Sequence, residues 1–324
     1  MKIGVLGAVC YDEIIAPDGA RRDGFGGILY NVAALSGIMS DGEVVFPLSK
    51  LGADRRDAAW AEFAKLPHVD TSGLTTCAAP LTHITLTWRS ALWRDEVVRH
   101  RMPPYTLDDL DKVLECDAVH INFINGTEMD LDTLIAFRER FEGLISIDVH
   151  QLISKFDQEG KRTIVGFKQW REWAPHLDVI QCNEFELSSM FDRDFKAPED
   201  FTGAAKEICG AGTPIVIVTR GPEGATLVHR YKGGFFALPL NALPVPEGGD
   251  TTGCGDCFSA GFLVGMLENG NPATALAYGT LVAGVNALNK GRGDLAQARV
   301  FLEDPRSHFQ LFDHRPPDWP GGPV

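Results

Sequence analysis

Gly249-Asp250-Thr251-Thr252-Gly253-Cys254-Gly255-Asp256 runs without a break into the apolar, small-residue stretch Cys257 to Gly265. Glycine tolerates the sharp backbone turn such a string needs, and the apolar stretch has helical character. The loop is therefore expected to empty into a helix N-terminus. There the N–H groups of Gly253, Cys254, Gly255 and Asp256 can converge on an anion, and the positive end of the helix dipole favours a phosphate. Two readings are open for Asp256. It is an N-cap or first-turn acid, or it is a general base held beside a transferring phosphoryl group.

Composition narrows what such a loop can serve. A chain of 324 residues with 44% hydrophobic content can bury a large core, as one α/β domain or one domain with a small appendage. The net charge of −14 argues against nucleic acid or an anionic membrane as partner and favours a small molecule. No stretch reaches the ~18 consecutive apolar residues of a membrane span. Met1 to Gly7 reads as a strand entering a turn, so a cytoplasmic protein is expected. Seven cysteines, an odd number scattered through apolar segments, fit reduced thiols better than a disulfide framework. Cys254-x-x-Cys257 lacks a second pair at zinc-ligand spacing, and the histidines form no metal-binding pattern.

Along the chain, Lys2 to Leu6 reads as a strand and Gly7-Ala8-Val9-Cys10-Tyr11-Asp12 as a turn ending in an acid. Gly24 to Asn31 opens a helix that continues through Val32, Leu35 and Met39. Its glycines would admit a ligand to the main chain, and Asn31 offers both donor and acceptor to a polyol. A helix is expected from Asp54, as cap, to Leu66, with Trp60, Phe63 and Leu66 as its apolar stripe. Leu81 to Trp88 alternates like a strand. Ala118 to Phe123 and Leu144 to Asp148 flank a helical pattern from Asp130 to Phe141, which predicts a parallel sheet with crossover helices. Asp148 then stands at a strand's carboxyl end, where such sheets bind ligands. Asp178 to Asn183 is a further strand, and Asn183-x-x-Glu186 fits a capping box. Pro214 to Val218 precedes the turn Thr219-Arg220-Gly221-Pro222-Glu223-Gly224, and a helix follows from Pro272 to about Leu288.

Asp250-Thr251-Thr252-Gly253-Cys254-Gly255-Asp256 resembles the Asp-Thr-x-Gly-Ala-Gly-Asp signature of the ribokinase family, the PfkB-type carbohydrate kinases, with Cys254 in place of alanine. Gly26-Gly27 with Asn31, Asn183-x-x-Glu186 and Thr219-x-Gly221-x-x-Gly224 are similar to further motifs of that family, in the same order. The resemblance implies a ribokinase-like three-layer α/β sandwich with a mainly parallel central sheet. It also implies an ATP-dependent kinase acting on a hydroxyl of a sugar, polyol or nucleoside. Asp256 would be the base, and Gly253, Cys254 and Gly255 with it the anion hole. Asp12, Gly26, Gly27 and Asn31 would hold the acceptor. Asn183, Thr219, Gly221, Gly224 and Asn286 would line the nucleotide site, and Glu186 would act on Mg2+ through water. Asp250 would lie near a K+ site, an activation that is not uniform in the family.

The chain departs from the family in a short segment between Asp12 and Gly26, which implies a reduced β lid built from about 12–27 and 75–105. Trp88 and Trp93 would line its pocket or pack it on the core. The remaining expectations are a kinase domain over 1–305, an extended tail over 306–324 with Phe309 and Trp319 as anchors, and a monomer or weak homodimer. Asn286, Ala287 and Lys290-Gly291 fall where related kinases enclose adenine. Two rivals stand beside the kinase. A catalytically silent sugar- or nucleotide-binding protein would keep the fold, though the retained Asp256 speaks for chemistry. A Rossmann-type oxidoreductase would need Gly-x-Gly-x-x-Gly after the first strand, which is absent.

Overall fold

The computed structural model describes residues 1–89, 94–245, 251–288 and 295–303. Runs rich in Val and Ile form its central strands, because β-branched side chains suit a sheet covered on both faces. In chain order the first strands are β1 (Lys2–Gly7), β2 (Val9–Ile15), β3 (Arg21–Gly27), β4 (Val44–Gly52), β5 (Leu74–Cys77), β6 (Thr82–Trp88) and β7 (Arg94–Arg99). Next come β8 (Ala118–Asn122), β9 (Leu144–Asp148), β10 (Ser154–Phe156), β11 (Arg162–Ile164) and β12 (Val179–Asn183). The last are β13 (Ile215–Thr219), β14 (Ala225–Tyr231) and β15 (Gly234–Leu240).

A nine-stranded sheet runs in the order β15-β14-β13-β12-β9-β8-β1-β4-β5. Neighbours from β13 to β5 are parallel, while β14 and β15 turn back antiparallel at one edge. Alternate residues feed opposite layers. Ile3 and Val5 join a core with the helices Leu29–Ile38, Cys254–Asn269 and Pro272–Leu288, whereas Leu6 joins a core with the helices Leu131–Arg138 and Pro198–Ala211. Each Leu, Ile or Phe buried this way contributes roughly 1.5–3 kcal/mol. The helices Cys254–Asn269 and Pro272–Leu288 lie unusually close together. A Cβ on Gly261 would stand 2.7 Å from the Tyr278 carbonyl, and one on Gly265 2.7 Å from Ala275 Cα. The small residues of this pair thus hold the loop at Gly253 on a rigid base.

A second sheet of four strands, β3-β2-β6-β7, forms a small lid. The expected turn from Gly7 to Asp12 is corrected here. The chain breaks only at Ala8, then Val9–Ile15 forms β2, so Asp12 sits inside a strand. Alternation in Val9-Cys10-Tyr11-Asp12 carries this, with Cys10 and Asp12 turned inward and Tyr11 stacked under Arg55 at 3.7 Å. Likewise Gly24 to Gly27 belong to β3, and the helix begins at Leu29. The helix expected from Asp54 runs over Arg56–Ala64, and Asp54 does not cap it. The Asp54 carboxylate instead accepts the N–H of Leu81 at 2.7 Å, anchoring the entry to β6.

The lid has a further attachment in the hairpin β10–β11. Val98 N–H donates to the Gly160 carbonyl at 2.8 Å, and Arg162 reaches Glu96 of β7 at 3.1 Å. The expected tail over 306–324, with Phe309 and Trp319, lies outside the described residues, as do Trp93, Asp250, Lys290 and Gly291. Among the described residues no helix is long and apolar enough to cross a membrane.

Candidate active site

The carboxyl ends of the parallel strands face the lid, and two cavities open between and beside them. The first, of about 250 Å3, is walled by Cys10, Asp12, Ile84, Leu86 and Glu96 from the lid and by Ile124, Asp148, His150 and Gln181 from strand ends and loops, with Asp256 at its base. The second, of about 800 Å3, is an apolar groove lined by Leu243, Pro244, Val245, Phe258, Ala283 and Ala287 among others. Asn183, Thr219 and Gly255 line both, so the cavities meet at a neck.

Gly253 supplies the turn into the helix at φ 76°, where a Cβ would collide with the Tyr30 ring at 2.2 Å. Cys254 N–H is used within the turn, donating to the Thr251 carbonyl at 3.2 Å. The first-turn N–H groups of Gly255 and Asp256 have no backbone partner among the described residues, and Gly255 lies at the neck. Cys254 contributes its side chain to the loop's anchoring: the thiol donates to the Ala283 carbonyl at 3.5 Å and accepts from Asn286 Nδ2 at 3.4 Å. Asn286, fully buried, also donates to the Thr252 carbonyl at 2.9 Å. It therefore braces the anion loop from behind, while its neighbours Ala283, Gly284 and Ala287 line the groove.

Asp256 is held from two sides. Asn122, at the end of β8, donates from Nδ2 to Asp256 Oδ1 at 2.5 Å and to Asn31 Oδ1 at 3.0 Å. Asn31 Nδ2 in turn donates to the Asp256 carbonyl at 3.1 Å and to Ser259 Oγ at 3.0 Å. Asn31 is 1% exposed and is not among the residues lining the first cavity. Its side chain links Asn122, Ser259 and the backbone of Asp256. Burial, then the Asp148 charge, push the Asp256 carboxyl up to about 8, with Asp12 adding to the rise and the Asn122 hydrogen bond opposing it.

Asp12 lies on the cavity wall and accepts the Cys10 thiol at 3.2 Å. Burial first, and then the Asp12 charge, push that thiol well up, so Cys10 is a neutral donor. Gly26 makes room for this carboxylate: a Cβ there would stand 2.1 Å from Asp12 Oδ2. Gly27 takes φ 64° and lines the cavity, with the Ala8 carbonyl 2.2 Å from where a Cβ would be.

On the opposite wall Asp148 Oδ2 accepts from Gln181 Nε2 at 3.0 Å, and the same Nε2 donates to the Gly255 carbonyl at 2.9 Å. Gln181 thus ties a sheet acid to the glycine loop, and its buried Oε1 has no partner among the described residues. Asn183 and Glu186 form the expected capping box: Glu186 accepts from Asn183 N at 2.9 Å and from Nδ2 at 2.8 Å. Burial pushes the carboxyls of Asp148 and Glu186 up, the Glu186 group further so because Asp148 lies near. Beside them His150, a non-glycine residue at φ 33°, places Nδ1 3.9 Å from Glu186 Oε1. Thr219, Gly221 and Gly224 line the groove, whereas Arg220 is engaged by Glu184 at 3.0 Å and by Glu223. Trp88 is not among the residues lining either cavity.

Asn122, Glu96, His150 and Gln181 are absent from the sequence reading. Each is a lone polar residue at a strand end or in a lid strand, and only topology brings it to the site. The Asp148-Val149-His150-Gln151 string was the available signal, since it follows a strand end already marked as a site candidate.

Comparison with known proteins bears on the family and the fold. Residues 157–299 match the family model for pfkB family carbohydrate kinases. The chain is 26% identical over 277 residues to a cytidine kinase of Thermococcus kodakarensis, covering 84% of this chain and 90% of that protein. It is 25% identical over 280 residues to an ATP-dependent ribose-1-phosphate kinase of Halopiger xanaduensis, covering 84% and 83%. Among solved structures, a pyrophosphate-dependent kinase in the ribokinase family, solved as a sulfate complex, superposes with TM-score 0.74 at 21% identity, over 90% of this chain and 99% of the other.

Proposed function

We propose, for a chain that belongs to the PfkB carbohydrate kinase family, that the phosphoryl donor is ATP and that Asp256 is the base that activates the acceptor hydroxyl. The observation that carries this is the meeting of the two cavities at Asn183, Thr219 and Gly255, with Asp256 on the acceptor side. A donor in the groove and a hydroxyl beside Asp256 face each other across the anion hole, the in-line arrangement that phosphoryl transfer needs.

The groove argues for a nucleotide over pyrophosphate. Its apolar walls, Leu243, Val245, Phe258 and Ala287 among them, suit the flat faces of a nucleobase, and pyrophosphate has no apolar surface to bury there. In the reaction Asp256 accepts the hydroxyl proton, and the N–H groups of Gly255 and Asp256 stabilise charge on the transferring group. Asp12 and Gly27 orient the acceptor from the lid. Asn31 and Asn122 hold Asp256 in place.

The acids fit a magnesium ion held through water. Asp148 and Glu186 stand near one another with raised carboxyls, and Gln181 Oε1 is buried without a partner, while no group of three ligating side chains closes into a direct cage among the described residues. When bound, the ion would neutralise the triphosphate and restore these acids to their charged form. The K+ site expected at Asp250 lies outside the described residues.

The test is phosphoryl transfer by the full chain with MgATP, and separately with magnesium pyrophosphate, across sugars, polyols and nucleosides. Transfer from ATP with pyrophosphate inert is expected. Turnover with pyrophosphate alone would overturn the donor assignment.

A further inference from the structure

We infer, on the footing of the kinase reading above, that the acceptor is an unphosphorylated polyol of about one sugar ring and that the cavity rejects sugar phosphates. The wall facing the acceptor carries five carboxylates, Asp12, Glu96, Asp148, Glu186 and Asp256. No Lys or Arg lines it among the described residues. Described cations of the lid and the elements beside it are turned to other work. Arg162 binds Glu96 at 3.1 Å and Ser154 Oγ at 2.8 Å, Arg55 stacks on Tyr11 on the outer face of the lid, and Lys50 pairs with Asp109 at 2.9 Å.

A phosphate ester entering here would bring about two negative charges into a cavity lined by five acidic side chains and, among the described residues, no Lys or Arg. The helix N-terminus at Gly255 and Asp256 offers no relief, because the transferring phosphoryl group takes it. A neutral polyol meets the opposite situation. Its hydroxyls donate to the carboxylates of Asp12, Glu96 and Asp256, while Ile84, Leu86 and Ile124 take the C–H face of a ring. Size points the same way. The cavity of about 250 Å3 holds the bulk of roughly eight waters at ~30 Å3 each, enough for a pentose or hexose.

Calorimetric titration of the full chain tests this without depending on turnover. The probes are ribose, fructose, myo-inositol and cytidine, each beside its phosphate monoester. At least one single-ring polyol should bind, with its ester at least about 100-fold weaker and cytidine weaker than the ring polyol, since uncompensated like charge costs several kcal/mol. Asp12→Asn keeps the side chain's shape and removes one charge, so it should narrow the polyol-to-ester ratio. An ester that binds as well as its parent, a panel in which no neutral polyol binds, or a ratio unmoved by D12N would overturn the inference. Transfer followed by phosphorus NMR reports separately on the kinase reading: a polyol that binds with MgATP present yet is never phosphorylated counts against that reading alone.

Discussion

The two cavities share a neck and little else. The proposed acceptor side is small and walled by acids on five separate elements, with Asp256 held by Asn122 and Asp148 by Gln181. The donor side is larger and apolar, built mostly from turn and helix residues such as Pro244, Gly224 and Ala283. A groove of that kind grips by shape and area and tolerates change. A cluster of buried acids depends on charge and exact placement of hydrogen bonds, so single substitutions there should act on rate and selectivity.

The contrast can be broken most directly at Asp256. Asp256→Asn keeps size and removes the base, so kcat should fall by about 10²–10⁴ while MgATP binding, measured by calorimetry, stays near its original strength. Loss of nucleotide binding together with rate would show that the two sides are not separable. Asp12→Ala comes next. Losing hydrogen bonds to a charged group should raise the acceptor KM by about 10–100-fold and leave the KM for ATP alone. Steady-state kinetics with each substrate varied in turn decides this.

A donor-side substitution should have the mirror effect and a smaller size. Ala283→Leu projects into the groove and should raise the KM for ATP about tenfold, ~1.4 kcal/mol, with the acceptor KM unchanged. Were pyrophosphate the donor, this variant would behave as wild type.

The smallest effect expected is on stability. Asp148, Glu186 and Asp256 all have carboxyls raised above their unfolded values. The folded chain therefore binds more protons than the unfolded chain, so stability is highest below the unfolded values and declines as pH rises through the folded ones. Without magnesium, Tm should be higher near about pH 5 than near about pH 8.5, and added Mg2+ should recover more at the alkaline end. A Tm that rises with pH over this range in the absence of metal would mean that the acids are not buried together.

Sequence alone carried the anion loop, the capping box at Asn183 and Glu186, and the parallel sheet, because each is encoded within a few consecutive residues or in a regular period. It was silent or misleading where meaning depends on what lies across the fold. The partners of Asn31, a second asparagine and a helix, and of Asn286, a loop carbonyl, have no local sign, and Asp54, expected as a cap, accepts instead the amide of Leu81 just before β6. Asp12 looked like a loop acid because Gly7-Ala8 reads as a turn, while the alternation that follows it is short and mixed. Gln181 and Asn122 gave no local sign at all. A glutamine or asparagine inside an apolar strand acquires its role only when the neighbouring strand and the glycine loop arrive beside it.

Gly26 is required by the carboxylate of Asp12, which occupies the position a Cβ would take, and not by its own backbone, which is extended. That carboxylate is the far end of a side chain that can rotate, so a methyl group at position 26 would leave the strand intact and turn Asp12 away from the place it now holds on the cavity wall. A change at position 26 would thus be read out at position 12, in a residue that has not itself been altered.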